Sequence, residues 1–500
     1  MALTSALTVP FFLVLGLVCL FEARGDRTDL SRGRYLNVLR LLLAFLCFLT
    51  LVIALNRGFS IDEFEHVHSA WYLSQGQRPY SDFFQHHHPL LWLIIVPFLR
   101  IVGETVTVLL VLRVFMFALA LGIGGMVYLM VLRITRSREA ALLGAVLLFA
   151  QVMFCVFAIQ IRPDIPQVFF GLLGLHLLLV AFDTGARGSF VGSGVSLAIS
   201  FLFLQKTIFL APALGLLLLR RLWRGDLPVK SLVIFSLSLL APLLPFFLAL
   251  FLIGSPGDYV LTNWLINLKF ARGDTFSFLR TLNYYILKDL FFWIMAVLSM
   301  IFAWRGKDAP AGLRATTLTG LVLFMSLFLV KRPWGHHFLF LLTVLAVGAG
   351  TMLFSLLNRT RVRRRPRVLI VILVVLSPLF FLLERTEKTN TEELNRAAYV
   401  LRHTRPSDRV YDGKNLFNLF RHDLHYFWFS LKDNHGLDTY NRLSNNRFGD
   451  YDICRLIREK RPRFISDFRV DFSGCGLNRL YRPTPYAHLF VRREGDGEGR

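Results

Sequence analysis

Charge is scarce in this chain, and negative charge scarcest of all. Asp and Glu together number 33 in 500 residues against 56 Lys and Arg, and charged residues of every kind make up only 18%. Apolar residues supply 55% and fall in blocks long enough to cross a bilayer, for which a run of about 20 predominantly apolar residues suffices. The shortage of charge therefore excludes the set of soluble domains that this length would otherwise suggest. The chain reads as a polytopic α-helical membrane protein. Cysteine is also sparse, at five residues. Cys19, Cys47 and Cys155 lie in apolar runs and behave as small hydrophobes, whereas Cys454 and Cys475 share a polar C-terminal segment and are either a disulfide or two free thiols. Internal repeats and low-complexity tracts are missing as well.

The net charge of +23 does not mark a nucleic-acid binder. Its basic residues concentrate in short loops between apolar runs: Arg133, Arg136 and Arg138; Arg220, Arg221 and Arg224; Arg305 and Lys307; and Arg359 to Arg367. Clusters of this kind mark cytoplasmic loops and add attraction to anionic lipid headgroups. About eleven apolar segments are expected, near 36–55, 106–132, 140–159, 165–182, 189–204, 207–220, 231–254, 289–304, 314–330, 337–356 and 368–383. A short apolar run at 9–22 has no basic residues ahead of it and is left as an extra helix, a signal-like segment or the product of an upstream start codon. Alternating the spans puts every basic cluster on the cytoplasmic side. The opposite side receives the loop 56–105, the corner Arg162-Pro163-Asp164, Gln205-Lys206, the loop 255–288, Lys331 to His337, and the tail. The division that follows is an N-terminal segment 1–35, a transmembrane core 36–383, and an extracytoplasmic α/β domain 384–500.

Within the first outer loop, Glu63 to Gln75 has helical spacing with Phe64, Val67, Ala70 and Trp71 on one side, and Pro89 to Val102 suits a helix lying at the interface. The tail suggests a helix over Thr391–Arg402, a strand at Arg409–Tyr411, a helix near Asp450–Glu459, and strands near Arg463–Ser466 and His488–Arg492.

Chemistry is expected at the outward helix exits. Asp62, Glu63 and Glu65 follow the first core span, where three carboxylates contribute nothing to insertion. Asp62 and Glu63 are candidate catalytic acids, against the plainer reading of an acidic helix start, and Glu65 is expected to face solvent. Asp164 is a third candidate, paired with Arg162 or capping a helix end. Lys206 either binds substrate or snorkels. Lys331, Arg332, His336 and His337 break the positive-inside pattern beside Trp334, and cations so placed suit phosphate recognition. In the first loop His86 and His88, with Tyr80 and Asp82, are candidate substrate contacts. Three adjacent histidines cannot all face one metal from a regular element, and no cysteine or paired carboxylate at ligand spacing joins them. No cofactor is therefore required, and a divalent metal is allowed but not favoured. His176 reads as a helix-packing residue.

Acids and cations together on one side are what transfer of a sugar from a polyprenyl-phosphate donor requires. A base takes the acceptor proton, the anomeric carbon passes through an oxocarbenium-like state, and fixed positive charge receives the leaving phosphate. The order Asp62-Glu63, Gly76-Gln77-Arg78-Pro79-Tyr80-Ser81-Asp82-Phe83, His88-Pro89-Leu90 and Arg162-Pro163-Asp164 resembles the GT-C superfamily of polytopic, lipid-phosphate-dependent glycosyltransferases. The branch it is most similar to contains aminoarabinose transferases and protein O-mannosyltransferases. That resemblance covers roughly residues 36–210 well. It implies that Asp62 is the catalytic base or orients the acceptor, that Asp164 is a second functional acid, and that transfer inverts the sugar by single displacement. Its implied partners are a polyprenyl-phosphate sugar and a lipid, glycan or protein acceptor at the outer face of a cytoplasmic membrane. The alternatives are a transporter or flippase of lipid-linked sugars, against which the lack of a repeat counts, and a membrane scaffold.

Overall fold

The structure is a computed structural model that describes residues 28–252, 256–270, 275–330, 334–359, 371, 389–414, 416–426, 436–447 and 452–493. The segment 9–22, nearly all of 368–383, and Lys331 and Arg332 lie outside the described residues. Each of the other apolar segments coincides with helix. Among the described residues, six helices are long and apolar enough to cross a membrane: Tyr35–Asn56, Thr107–Thr135, Asp164–Thr184, Val229–Leu252, Ala311–Leu329 and Gly335–Asn358. A bent pair, Leu279–Lys288 with Leu290–Arg305, raises this to seven if it counts as one span, and Arg187–Phe203 is a shorter apolar helix. The segment predicted at 140–159 is broken into Arg138–Ala150 and Val152–Phe157.

The chain divides into two compact units, cut differently from the three-part division read in the sequence. The first comprises Met1–Arg57, Arg113–Leu244 and Gly273–Lys388, and the second Gly58–Leu112, Pro245–Arg272 and Thr389–Arg500. The first outer loop thus belongs with the tail.

In the first unit the Arg138–Ala150 helix is buried along almost its whole length and packs on Leu339–Arg359. Their crossing needs glycine at position 350, because a Cβ there would collide with the backbone of Gly144. Small residues at such a crossing let helix backbones approach without a hydrophobic drive between them. Asp164–Thr184 packs against Arg187–Phe203 as a hairpin, where Ser193 Oγ donates to Gly174 O at 2.8 Å and Ser200 Oγ to Gln167 O at 2.7 Å. Arg113 is fully buried, and its guanidinium donates to the carbonyls of Ala54 and Arg57. It thereby satisfies helix-end acceptors that have no partner inside the Thr28–Asn56 helix. Only 6% of the most apolar stretch of Val229–Leu252 is buried, as suits a helix that faces lipid.

In the second unit the Ile61–Ser74 helix packs on Leu90–Val102. Phe64, Val67, Ala70 and Trp71 are buried as their spacing predicts, but so are Glu63, Glu65, His66, His68, Ser69 and Tyr72. This helix is enclosed nearly all round. Phe84, Ile266, Tyr426 and Tyr440 form a core that joins all three segments of the unit. The tail contains the expected helices, at Thr391–Arg402 and Ile453–Lys460. Its four-stranded sheet has the order β1-β2-β4-β3, with β1 Val410–Tyr411, β2 Phe464–Ile465, β3 Tyr481–Pro483 and β4 Phe490–Arg492. β1 and β2 run parallel and the other pairs antiparallel. Cys454 and Cys475 are joined in a disulfide beside the core of Tyr411, Ile457, Ile465 and Leu477.

Candidate functional site

The candidate residues gather in two places, one in each unit. In the first unit Asp164 opens the Asp164–Thr184 helix, where orphan amides and the helix dipole favour a carboxylate. Both of its oxygens are engaged: Lys206 Nζ donates to Oδ1 at 3.0 Å and Arg162 Nε to Oδ2 at 3.2 Å. Arg162 Nη2 also lies 3.0 Å from His336 Nε2. A guanidinium can only donate, so His336 accepts there and carries its ring proton on Nδ1. The Asp164 and Arg162 side chains are 3% and 5% exposed, whereas Lys206 is 24% exposed. Lys206 is the member of the trio that reaches outward. Burial pushes its ammonium below the ordinary lysine value while the neighbouring carboxylate pulls it back.

Local geometry fixes each partner. Lys206 sits in the 3-10 turn Gln205–Leu210, whose Thr207 Oγ1 accepts from Gln167 Nε2 at 3.2 Å. His336 and His337 lie in the 3-10 turn Gly335–Phe338, where Trp334 N–H donates to His337 Nδ1 at 3.0 Å. A Cβ on Gly335 would run into the Phe157 ring and the Tyr285 hydroxyl, so this residue must be glycine for His336 to reach Arg162. A cavity of about 30 Å³ lies among Asp164, Gln167, Lys206, His336 and His337. Structure thus unites Arg162, Asp164, Lys206 and His336, with His337 beside them.

In the second unit the acidic helix start separates into three different environments. Asp62 is half-buried in the first helical turn. Glu63 is fully buried, and its Oε2 accepts from Ser60 N–H at 2.8 Å in a capping box, the structural use of an acid at this position. Glu65, expected in solvent, is instead 4% exposed. Its Oε1 accepts from Gln85 Nε2 at 2.9 Å and lies 3.7 Å from His87 Nδ1. Burial pushes the Glu65 carboxyl up to about 8. Local periodicity placed this residue on an outer face, but the 77–89 segment folds over that face.

Tyr80 and Asp82 serve the loop itself. Tyr80 is fully buried and its hydroxyl donates to His87 O at 2.8 Å, while Asp82 accepts from the backbone and guanidinium of Arg78. His88 is buried, with Tyr259 Oη 2.9 Å from its Nε2. His86 is half-buried and its carbonyl accepts from Asn267 Nδ2 at 2.9 Å. Among the described residues Glu65, His86 and His87 form a set of three groups that could hold a metal ion, their ligand atoms lying within 4.8 Å of one another. Gln85 already bridges two of them, with Oε1 3.2 Å from His87 Nδ1.

Sequence reasoning missed a further buried pair. His68 Nδ1 lies 2.7 Å from Leu419 O and Nε2 2.7 Å from Asp423 Oδ2, to which Tyr72 Oη also donates at 3.0 Å. Both ring nitrogens face oxygen acceptors. No periodicity connects residues so far apart, and an aspartate in a polar tail gave no signal of its own.

Fold and site together define a polytopic helical membrane protein with a buried carboxylate clamped by two cations at a helix start. Its fold is similar to that of solved polytopic membrane glycosyltransferases. Residues 86–246 match the family described as dolichyl-phosphate-mannose-protein mannosyltransferase. The crystal structure of ArnT from Cupriavidus metallidurans bound to undecaprenyl phosphate superposes with a TM-score of 0.66 at 12% identity, over 90% of this chain and 97% of that one. Its apo state gives 0.67 at 13% identity, over 90% and 96%. The archaeal oligosaccharyltransferase AglB from Archaeoglobus fulgidus, in complex with an inhibitory peptide and a dolichol-phosphate, gives 0.54 at 11% identity, over 94% and 75%. No curated protein matches this chain in sequence.

Proposed function

We propose that this protein is a glycosyltransferase that moves a sugar from a polyprenyl-phosphate donor to an envelope lipid, glycan or protein at the outer face of a cytoplasmic membrane. The observation that carries the reading is the clamp of Asp164 between Arg162 and Lys206. Two cations against one carboxylate leave a net positive charge where a lipid monophosphate would depart, and buried charge of this kind is retained only with close partners. ArnT with its undecaprenyl phosphate and AglB with its dolichol-phosphate support the same donor class for a chain of this fold.

In the proposed reaction the acceptor hydroxyl attacks the anomeric carbon as the bond from that carbon to the phosphate oxygen breaks. Asp62 takes the hydroxyl proton, and the lipid phosphate leaves with the bonding pair. Fixed donors aimed at the developing charge contribute most to such a step. Lys206, the outward member, and Arg162 receive the phosphate, His336 orients Arg162, and Asp164 is a positioning residue that holds both cations. From the sequence pattern, Lys331, Arg332 and His337 are further candidate phosphate ligands, and His86 and His88 candidate substrate contacts. Glu63 supports the helix start that carries Asp62. Placement of the site and tail outside the cytoplasm rests on the basic clusters of the opposite loops and on the Cys454–Cys475 disulfide, a bond that persists in oxidising compartments.

Mass spectrometry of envelope lipids, glycans and proteins from a strain lacking the chain tests the reading. One sugar-modified species should vanish and return with the wild type but not with Asp62→Asn. Unchanged modification in the deletion strain would contradict the function, and restoration by Asp62→Asn would remove the base.

A further inference from the structure

At the far end of the Asp164–Thr184 helix, about 28 Å from Asp164 at 1.5 Å per residue, the first unit contains a second charged site. A cavity of about 370 Å³ is lined by Arg133, Arg220, Arg221, Arg224 and Arg314, with Asp183 the single acid among its lining residues. Three loops that the positive-inside rule assigns to the cytoplasm converge on it. As isolated loop residues these arginines would be no more than a topology signal, but the structure brings them into one concave site of ligand-holding size.

The cations are unequally committed. Arg133 donates to Asp183 at 2.6 Å, Arg221 lies 3.6 Å from Asp226 and stacks on Phe182, and Arg314 donates to the carbonyls of Ala303 and Gly306. Arg220 and Arg224 are exposed and make no ion pair among the described residues. A second observation points the same way. Pro310, Ala311 and Gly312 line the cavity, and the Ala311–Ser326 helix that starts there has no side-chain cap. Its first amides, with the positive end of the helix dipole, are a ready anion site. His176 also lines the cavity, and its buried Nδ1 has no hydrogen-bond partner, so the packing role read from the sequence leaves one polar atom unexplained. Trp304, more than half exposed, stands at the rim, the position of aromatic side chains at headgroup depth.

We propose that this cavity binds a phosphate-bearing anion from the cytoplasmic side, with Arg220 and Arg224 as the free cations and the Ala311 helix start as amide donor. An anionic phospholipid headgroup and a soluble diphosphate share that chemistry. Basic pockets between transmembrane helices on this side suit the former, and Met130, Leu179, Leu217 and Leu318 in the lining offer apolar wall for an acyl chain. Neither sugar transfer nor Asp62 enters this inference.

Native mass spectrometry of the purified full chain, loaded with cardiolipin, phosphatidylglycerol or phosphatidylcholine, separates the cases. Wild type should retain cardiolipin over phosphatidylcholine. Arg220→Gln with Arg224→Gln should lower that retention about tenfold or more, as loss of charge-assisted bonds to phosphate requires. Lys230→Gln with Lys307→Gln removes equal charge from exposed positions outside the cavity lining and should leave retention unchanged. Arg224→Gln alone, at an exposed position, keeps the test valid if the double variant misfolds, and should weaken retention in the same direction. Inorganic pyrophosphate should displace the lipid. If pyrophosphate binds wild type in an Arg224-dependent way and no lipid is retained, the phosphate site stands and its source is soluble. Equal binding of every anion by wild type and both arginine variants, or equal loss in the lysine control, would overturn the proposal.

Discussion

The two ends of the Asp164–Thr184 helix use the same residue types, arginine and aspartate, in opposite ways. At its start the carboxylate is buried, both oxygens are taken by cations, and a histidine holds one cation in line. At its end Asp183 is 57% exposed, Arg133 pairs with it at 28% exposure, and Arg220 and Arg224 nearby make no ion pair among the described residues. Charge sequestered with its partners can be aimed at a reacting group without rearrangement. Charge left in surplus at a surface can attract a ligand but is screened and costs little to lose. The difference shows that the chemistry of a charged pair follows from its surroundings rather than from its residue names.

The largest expected effect comes from removing the outward cation of the buried cluster. Lys206→Met should lower kcat for sugar transfer about 10²–10³-fold, the scale for one fixed donor to a developing anion, measured as turnover with a polyprenyl-phosphate sugar. A loss carried wholly by KM would reduce Lys206 to ground-state binding and blur the contrast between the two ends.

Next comes the other buried pair. Asp423→Ala strands His68 at a position without solvent access and should destabilise the protein by about 3–5 kcal/mol, read from chemical unfolding of the membrane-embedded chain. A change below about 1 kcal/mol would mean that this buried pair behaves like an exposed one.

A pH series probes the same principle at Glu65. Its folded carboxyl, pushed up to about 8 by burial from an unfolded value of 4.5, binds a proton more tightly in the native state. Stability should therefore be greatest below about 4.5, fall as the pH rises toward about 8, and level off above it, with a slope of up to about 1.4 kcal/mol per pH unit. Glu65→Gln should remove this component. An identical pH profile for the variant would place Glu65 in solvent after all.

The smallest effect is expected at the exposed end of the helix. Asp183→Asn removes an ion pair that water screens and should change stability by no more than about 1 kcal/mol, checked by the same unfolding measurement.

The helices were legible because hydrophobic run length is a local signal, and Arg162, Asp164, Lys206 and His336 were legible because each is a charged or polar residue at the end of an apolar run. Their union was not visible, since nothing local links residues from three separate exits. Glu65 was misread for a related reason: a carboxylate on a helix faces solvent by default, and only the fold of 77–89 across it, with Gln85 as partner, reverses that. The loop 56–105 and the tail were read as separate parts because the bonds that join them, such as His68 to Asp423, cross some 350 residues without periodicity. The Arg220–Arg224 cluster was read only as a topology signal. Its cavity depends on how three loops converge, which loop composition does not encode.

The central claim is tested most directly by single-turnover transfer from a polyprenyl-phosphate sugar with purified protein in lipid nanodiscs, following both free lipid phosphate and the anomeric configuration of the product. Wild type should release one lipid phosphate for each sugar transferred, with inversion, and Asp62→Asn should slow this about 10²–10⁴-fold, the range for loss of a general base. Full activity of Asp62→Asn, or a product with retained configuration, would contradict the account.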